Sequence, residues 1–205
     1  MGALENNELE QQIIETAKRL FVEKGFVETS MSDIAATVGI NRPALHYYFR
    51  TKDRMFQAVF SSIVMSLLPR VREIMKRDIP FMERVSMVLD EYLARFIENP
   101  YIPKFICEEV QRDVNHLLAT AKEMQFEETF AIIKEGLQSE MEAGRLKTVP
   151  LHILFLTFYG LLLFPLLSKN LVVTLFLKED TEFEPLLWEW KQYILFHLKN
   201  LLCVD

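Results

Sequence analysis

Cysteine is scarce in this chain: Cys107 and Cys203 are the only two among 205 residues, with no C-x-x-C spacing. A disulfide framework is not indicated, and both thiols stand in apolar helical contexts, where they read as reduced core residues of low thiolate character. Half of the composition is apolar, enough for a substantial core without covalent staples. The N-terminus MGALENNELEQQ has no basic stretch followed by an apolar one, so no secretory signal is read, and Asn6 stands where myristoylation would want serine or threonine. A cytoplasmic location is the expectation. Absent too are G-x-S-x-G, H-E-x-x-H, P-loop and G-x-G-x-x-G arrangements, and no nucleophile has a marked turn context. Neither an enzyme nor a cofactor is expected.

Basic charge is also in short supply, the formal net charge being -6. Residues 1–60 hold seven Lys or Arg against eight Asp or Glu, and residues 61–205 hold sixteen against twenty-one. A globally basic nucleic-acid binder is thereby disfavoured, and what remains is a local footprint: Arg42, Arg50, Lys52 and Arg54 against Asp53 alone between Ile40 and Arg54. With so few phosphate contacts per copy, DNA binding would need two copies acting together and would weaken as salt rises. Long apolar runs are limited to ILFLTFYGLLLFPLL, residues 153–167. A membrane span needs about 20 apolar residues, and this run is closed by His152 and by Ser168, Lys169 and Asn170, with Pro165 inside. It reads as a buried helix, one that must be covered on every side, by its own domain and then by something else.

What the chain does contain is a concentrated motif from Ser30 to Lys52, SMSDIAATVGINRPALHYYFRTK. Ser30 stands three residues before Asp33, the spacing of a capping box, so a helix should begin near Met31. Ile34, Ala35 and Val38 recur at helical spacing, and Gly39 supplies the permissive backbone that ends the helix. Asn41 can cap a second helix with Pro43 in its first turn, where a missing amide hydrogen costs nothing. Helix, tight turn, helix is the shape of a helix-turn-helix unit. On the second helix, Leu45 and Phe49 would face inward. Arg42, Pro43, Ala44, His46 and Tyr47 would then project from it, with Tyr48, Arg50 and Lys52 around its far end. These groups can donate to phosphate oxygens and base edges, and Ala44 permits close approach to a thymine methyl. We assign Arg42, His46 and Tyr47 to bases, and Ser30, Tyr48, Arg50 and Lys52 to phosphates.

AKRLFVEKGF, TSMSDIAATVGI and NRPALHYYFRTKDRMF, within about residues 8–58, resemble the DNA-binding domain of the TetR family of bacterial transcriptional regulators. The glycine after the first helix, the Asp-Ile-Ala of the second, the Tyr-Phe ending the third and the lysine opening the fourth stand at the family's spacing. The chain departs where the family often has serine at Asn41, glycine at Pro43 and tyrosine at His46, so the operator sequence is not readable from the resemblance. The implied fold class is all-α: an N-terminal three-helix helix-turn-helix domain, residues 1–55, joined by a connecting helix to a helical-bundle domain, residues 56–205.

Apolar spacing and the prolines and glycines give approximate helices over residues 8–24, 52–68, 69–77, 80–98, 101–116, 118–143, 150–168 and 184–202. Pro69 should kink or break the helix from Lys52. Period-two alternation, internal repeats and low-complexity segments are missing. By the resemblance, helices 150–168 and 184–202 would pair with their copies in a homodimer. The second domain would enclose a cavity for a small, partly apolar effector, with Phe105, Glu109, Gln111, Phe126, Phe155 and Tyr159 as its contacts. The resemblance thus implies a homodimeric repressor released from a near-palindromic DNA operator by the effector.

Other readings stay open on the residues themselves. Glu109, Asp113 and His116 stand at i, i+4 and i+7, which is metal-ligand spacing, although a di-iron bundle would want Glu-x-x-His on two helices. A solvated polar face beside Arg112 is the simpler reading, and no metal is expected. A regulator that activates or is controlled by a protein partner, a helical metal-binding protein, and a protein using residues 153–167 at a membrane surface are the alternatives.

Overall fold

A computed structural model describes residues 2–100, 102–123 and 126–204, and the side chains of all of these but 2–6, 116, 117, 120, 121, 123, 126 and 181. The fold is all-α, as the sequence pattern leads one to expect. The helices in chain order are α1 (Gly2–Glu28), α2 (Met31–Val38), α3 (Arg42–Tyr48), α4 (Lys52–Met75), α5 (Phe81–Glu98) and α6 (Ile102–Arg112). They continue as α7 (Val114–Glu123), α8 (Phe126–Glu142), α9 (Leu151–Leu167), α10 (Lys169–Phe176) and α11 (Phe183–Leu202). Two compact units result, one of residues 1–66 with 104–124 and the other of residues 67–103 with 125–205.

The first unit is built on apolar stripes at helical spacing. Ile13, Ala17, Leu20 and Phe21 of α1, Ile34 and Ala35 of α2, Leu45 of α3, and Met55, Phe56 and Val59 of α4 are buried. Phe56 is the hub: its ring lies 5.4 Å from Phe26, 5.4 Å from Phe105 and 5.9 Å from Phe60. Helix α1 is interrupted at Gly25, whose φ of 84° favours glycine. Thr29, fully buried, closes this end by sharing its hydroxyl hydrogen between the carbonyls of Gly25 at 2.9 Å and Leu20 at 3.1 Å.

In the second unit α11 packs against α5 and α9, with Leu89 and Leu93 of α5, Leu162 of α9, and Leu187 and Ile194 of α11 in its core. Pro165 lies inside α9 and has no amide hydrogen to give the carbonyl of Leu161. The indole of Trp190 on α11 supplies the missing donor, its Nε1–H reaching the Leu161 oxygen at 2.9 Å. The helix therefore tolerates its proline because a neighbouring helix satisfies the orphaned acceptor. A second polar tie joins the buried Arg84 of α5 to Glu140 of α8 at 2.8 Å and to the carbonyl of Met75 at 3.1 Å. Arg145 donates to the same carboxylate at 2.7 Å. Among the described residues no single helix is long and apolar enough to cross a membrane; α9 and α10 would pass together by length and composition, but they are bent by 67°.

Four details differ from the expected spans. Helix α4 runs through Pro69 without ending, because Leu67, Leu68, Val71, Ile74 and Met75 are all buried; at about 1.5–3 kcal/mol each, their burial outweighs the roughly 3 kcal/mol cost of an interior proline. The helix read over 101–116 stops at Arg112, and the next begins at Val114, so Glu109 and Asp113 do not stand on one continuous helix; the side chain of His116 lies outside the described residues. The span read as 118–143 is two helices, α7 and α8, and α10 is a helix that the apolar pattern did not set apart from its surroundings.

Both polar ties can be tested. Trp190→Phe leaves the Leu161 carbonyl unpaired and is expected to cost about 1–3 kcal/mol, whereas in a Pro165→Ala background, where an amide hydrogen returns to that carbonyl, most of the loss should vanish; additive losses in chemical denaturation would contradict the pairing. The Arg145 guanidinium, then Arg84, hold the Glu140 carboxyl below its ordinary value of 4.5 against the opposing effect of burial. A depressed folded pKa means that this stabilisation is complete above the ordinary glutamate range and is lost as pH falls through the folded value. Glu140→Gln should therefore lower stability at neutral pH and flatten the acid side of the stability curve, and an unchanged acid side would contradict it.

Candidate nucleic-acid interface and apolar cavity

The turn between α2 and α3 is fixed at both ends by local hydrogen bonds. Ser30 caps α2, its Oγ accepting from the Asp33 amide at 3.1 Å while the Asp33 carboxylate accepts from the Ser30 amide at 2.9 Å. These bonds from Ser30 hold the Asp33 carboxyl below the usual carboxylate range. Gly39 takes the left-handed conformation, φ 85° and ψ 24°. The Ile40 amide then returns to the Ala35 carbonyl at 3.0 Å and the Gly39 amide to Ala36 at 3.2 Å, the pair of bonds that defines a Schellman end. Asn41 caps α3 by accepting from the Ala44 amide at 2.8 Å.

With α3 so aimed, Leu45 and Phe49 are buried, while Arg42, Pro43, Tyr47 and Arg50 are exposed and Ala44, His46 and Tyr48 are half-buried. The Tyr47 ring, 76% exposed, stands edge-on to Tyr48 at 5.3 Å. Leu45 and Phe49 thus face inward as their spacing suggests, and Arg42, Pro43 and Tyr47 face outward from the short α3. Two assigned residues carry internal bonds as well. The Ser30 hydroxyl donates to Asp33 at 2.7 Å, and the Lys52 ammonium donates to the Val27 carbonyl at 3.0 Å and lies 4.5 Å from the Phe26 ring centroid. Thr51 caps α4 by accepting from the Arg54 amide at 3.1 Å.

The second unit contains a cavity of about 170 Å³, whose lining includes Leu68, Val71 and Met75 of α4 and Val85, Val88 and Tyr92 of α5. Phe130 and Lys134 of α8, and Leu154, Phe155 and Tyr159 of α9, complete much of the wall. Of the residues assigned to an effector from sequence, Phe155 and Tyr159 are in this lining, whereas Phe105, Glu109 and Gln111 belong to the first unit. Phe105 is buried against Phe56, and Gln111 is exposed. Glu109, read as part of a solvated face, is instead buried, with one carboxylate oxygen accepting from Arg112 Nε at 2.8 Å and Nη2 at 2.6 Å. The side chain of Phe126 lies outside the described residues.

Tyr92 is one of the lining residues that the sequence reading did not assign. Its hydroxyl is 2.9 Å from that of Tyr159, and burial pushes both phenols above their ordinary range, Tyr92 further. Its signal was its place on the stripe Val85, Val88, Leu89, Tyr92, Phe96, where a lone hydroxyl among apolar residues must find a partner.

Residues 13–59 match the family model described as bacterial regulatory proteins, tetR family. Among curated proteins, the chain is 37% identical over 59 residues to the HTH-type transcriptional regulator TtgR of Pseudomonas putida, covering 29% of this chain and 28% of that one. It is 33% identical over 89 residues to the HTH-type transcriptional repressor BdcR of Escherichia coli, covering 43% and 45% respectively. These matches span less than half of either relative's length. Among solved structures, the transcriptional regulator FadR from Bacillus subtilis in complex with stearoyl-CoA shares the fold, with a TM-score of 0.70 at 16% identity over 90% of this chain and 97% of that one.

The caps make a local prediction. Asn41→Ala should destabilise the first unit by about 1 kcal/mol while Asn41→Gly should cost only a few tenths; equal losses in denaturant titrations would mean that Asn41 does not act as the cap of α3.

Proposed function

We propose that the chain, whose residues 13–59 match the model of the tetR family of bacterial regulatory proteins, is a sequence-specific DNA-binding transcriptional regulator, acting as a homodimeric repressor that a small, partly apolar effector releases from its operator. The observation that carries this reading is the seating of α3. Leu45 and Phe49 are buried and Asn41 caps the helix, which leaves Arg42 and Tyr47 facing outward with Ala44 and His46 beside them. A major groove admits such a helix, and two copies would read half-sites about one helical turn of DNA apart. Arg42, His46 and Tyr47, with Pro43 and Ala44 at close approach, would face bases. Ser30, Tyr48, Arg50 and Lys52 would face phosphates, Ser30 and Lys52 by exchanging or sharing the internal bonds they now make.

Dimerisation is supported by large apolar side chains that remain exposed: Leu156 and Phe164 on α9, and Trp188, Tyr193 and Phe196 on α11. A second copy would cover them. Effector control is supported by the cavity, and by α4, which carries Lys52 at one end and the cavity-lining Leu68, Val71 and Met75 towards the other. Ligand binding can shift the dimer only if it favours one arrangement over the other, and one continuous helix is a physical means of coupling the two.

The test separates the two classes of contact. Lys52→Ala should weaken binding to every duplex and reduce the salt slope by about 1. Arg42→Ala should relax preference at one base position, at a cost of about 1–3 kcal/mol on the preferred duplex. Equal loss on preferred and random duplexes for Arg42→Ala would overturn its assignment to a base.

A further inference from the structure

The cavity wall is mostly apolar, and its few polar groups narrow what it can accept. Among its lining residues the sole cation is Lys134, which is exposed on α8 beside the half-exposed Phe130. The nearby guanidinium of Arg72 is already committed: Nε and Nη2 donate to the buried Thr129 hydroxyl at 3.3 and 3.0 Å, and Nη1 lies 3.4 Å from Glu128. Among the described residues no carboxylate lines the wall. An ion drawn past the exposed Lys134 into the apolar interior of this space would lose its hydration away from any counter-charge, and unpaired buried charge is among the costliest arrangements in a protein interior.

Besides Lys134 and the Thr129 hydroxyl, which accepts from Arg72, the polar groups of the wall are a pair of phenols. Two hydroxyls carry two hydrogens, and the bond between Tyr92 and Tyr159 uses one of them. Neither residue has another hydrogen-bond partner among the described residues. Both phenols stay protonated at neutral pH because burial disfavours the phenolate. The pair therefore presents one unused O–H, with the Phe155 ring 4.8 Å and the Phe158 ring 5.1 Å from the ring of Tyr159.

Building on the effector reading of this cavity, we propose that it selects an uncharged, mainly hydrocarbon or aromatic ligand bearing one hydrogen-bond acceptor, such as a ketone, ester or ether oxygen, which takes the free hydrogen of the Tyr92–Tyr159 pair. Carboxylates are disfavoured because the one lining cation, Lys134, is exposed, so an anion could pair with it only at the rim and not in the apolar interior. Coenzyme A esters are disfavoured on the same ground, since their phosphates would meet one ammonium at the rim. Either phenol can be the outer donor, so a single Tyr→Phe change leaves a donor in place and only the double change removes it. That double change also removes both ends of the inner bond, leaving no orphaned group to destabilise the fold.

The experiment is calorimetric titration of the full chain with matched probes: acetylnaphthalene, ethylnaphthalene, naphthoate and a long-chain acyl-coenzyme A. The ketone is expected to bind about tenfold more tightly than the hydrocarbon of the same size, as one net hydrogen bond allows, and naphthoate to bind more weakly than either. In the Tyr92→Phe/Tyr159→Phe protein the hydrocarbon should bind as before while the advantage of the ketone disappears. Tighter binding of naphthoate or of the coenzyme A ester would overturn this selectivity while leaving the cavity as an effector site. A ketone advantage that survives the double change would overturn the role of the phenol pair. Heat from none of the probes would overturn the ligand reading of the cavity itself.

Discussion

Helix α3 is seven residues long, too short to keep its shape in water by its own hydrogen bonds. Its direction, and with it everything its outer face can touch, depends on the burial of Leu45 and Phe49 and on the two locally bonded ends of the turn before it. That seat rests in turn on α1 and α4. Phe21, Phe26, Phe56, Phe60 and Phe105 form one linked aromatic cluster, so the helices that brace α3 are held by broad apolar surface rather than by a few polar contacts. The division of labour is physical: large rings fix position, and small capping groups fix angle.

Much of this first unit was legible because its signals are local. A serine three residues before an aspartate, a glycine that must adopt a positive φ, and an asparagine before Arg42 and Pro43 each dictate a conformation within a few bonds, and the structure shows all three acting so. The spacing of Leu45 and Phe49 likewise decided which face of α3 turned inward. What escaped the sequence depends on partners far away in the chain. Pro69 does not end α4 because the residues around it are buried. Pro165 sits within α9 because Trp190 is at hand. Glu109 is buried because Arg112 folds back on it, and no spacing rule says on which side of a helix end that will happen. Tyr92 and Tyr159 are 67 residues apart, and only folding makes them a pair.

The second unit differs in character. Beside its mostly apolar cavity it holds polar groups paired with one another: Arg72 with Thr129 and Glu128, Arg84 with Glu140, Lys191 with Asp90. Such pairs tie helices to one another. Its outer surface keeps large side chains on α9 and α11 uncovered, an arrangement that a monomer in water has no physical reason to favour. The proposed effector control and dimerisation rest on this cavity and on these exposed apolar faces.

We propose that α3 reads DNA sequence as one of a symmetric pair. The most direct test is selection of bound duplexes from a random library at several stated salt concentrations, with the solution mass of the protein recorded alongside. A dimer is expected to enrich an inverted repeat, with binding that weakens as salt rises. Failure to enrich any sequence even at low salt, or enrichment of an asymmetric site by a monomer, would contradict it.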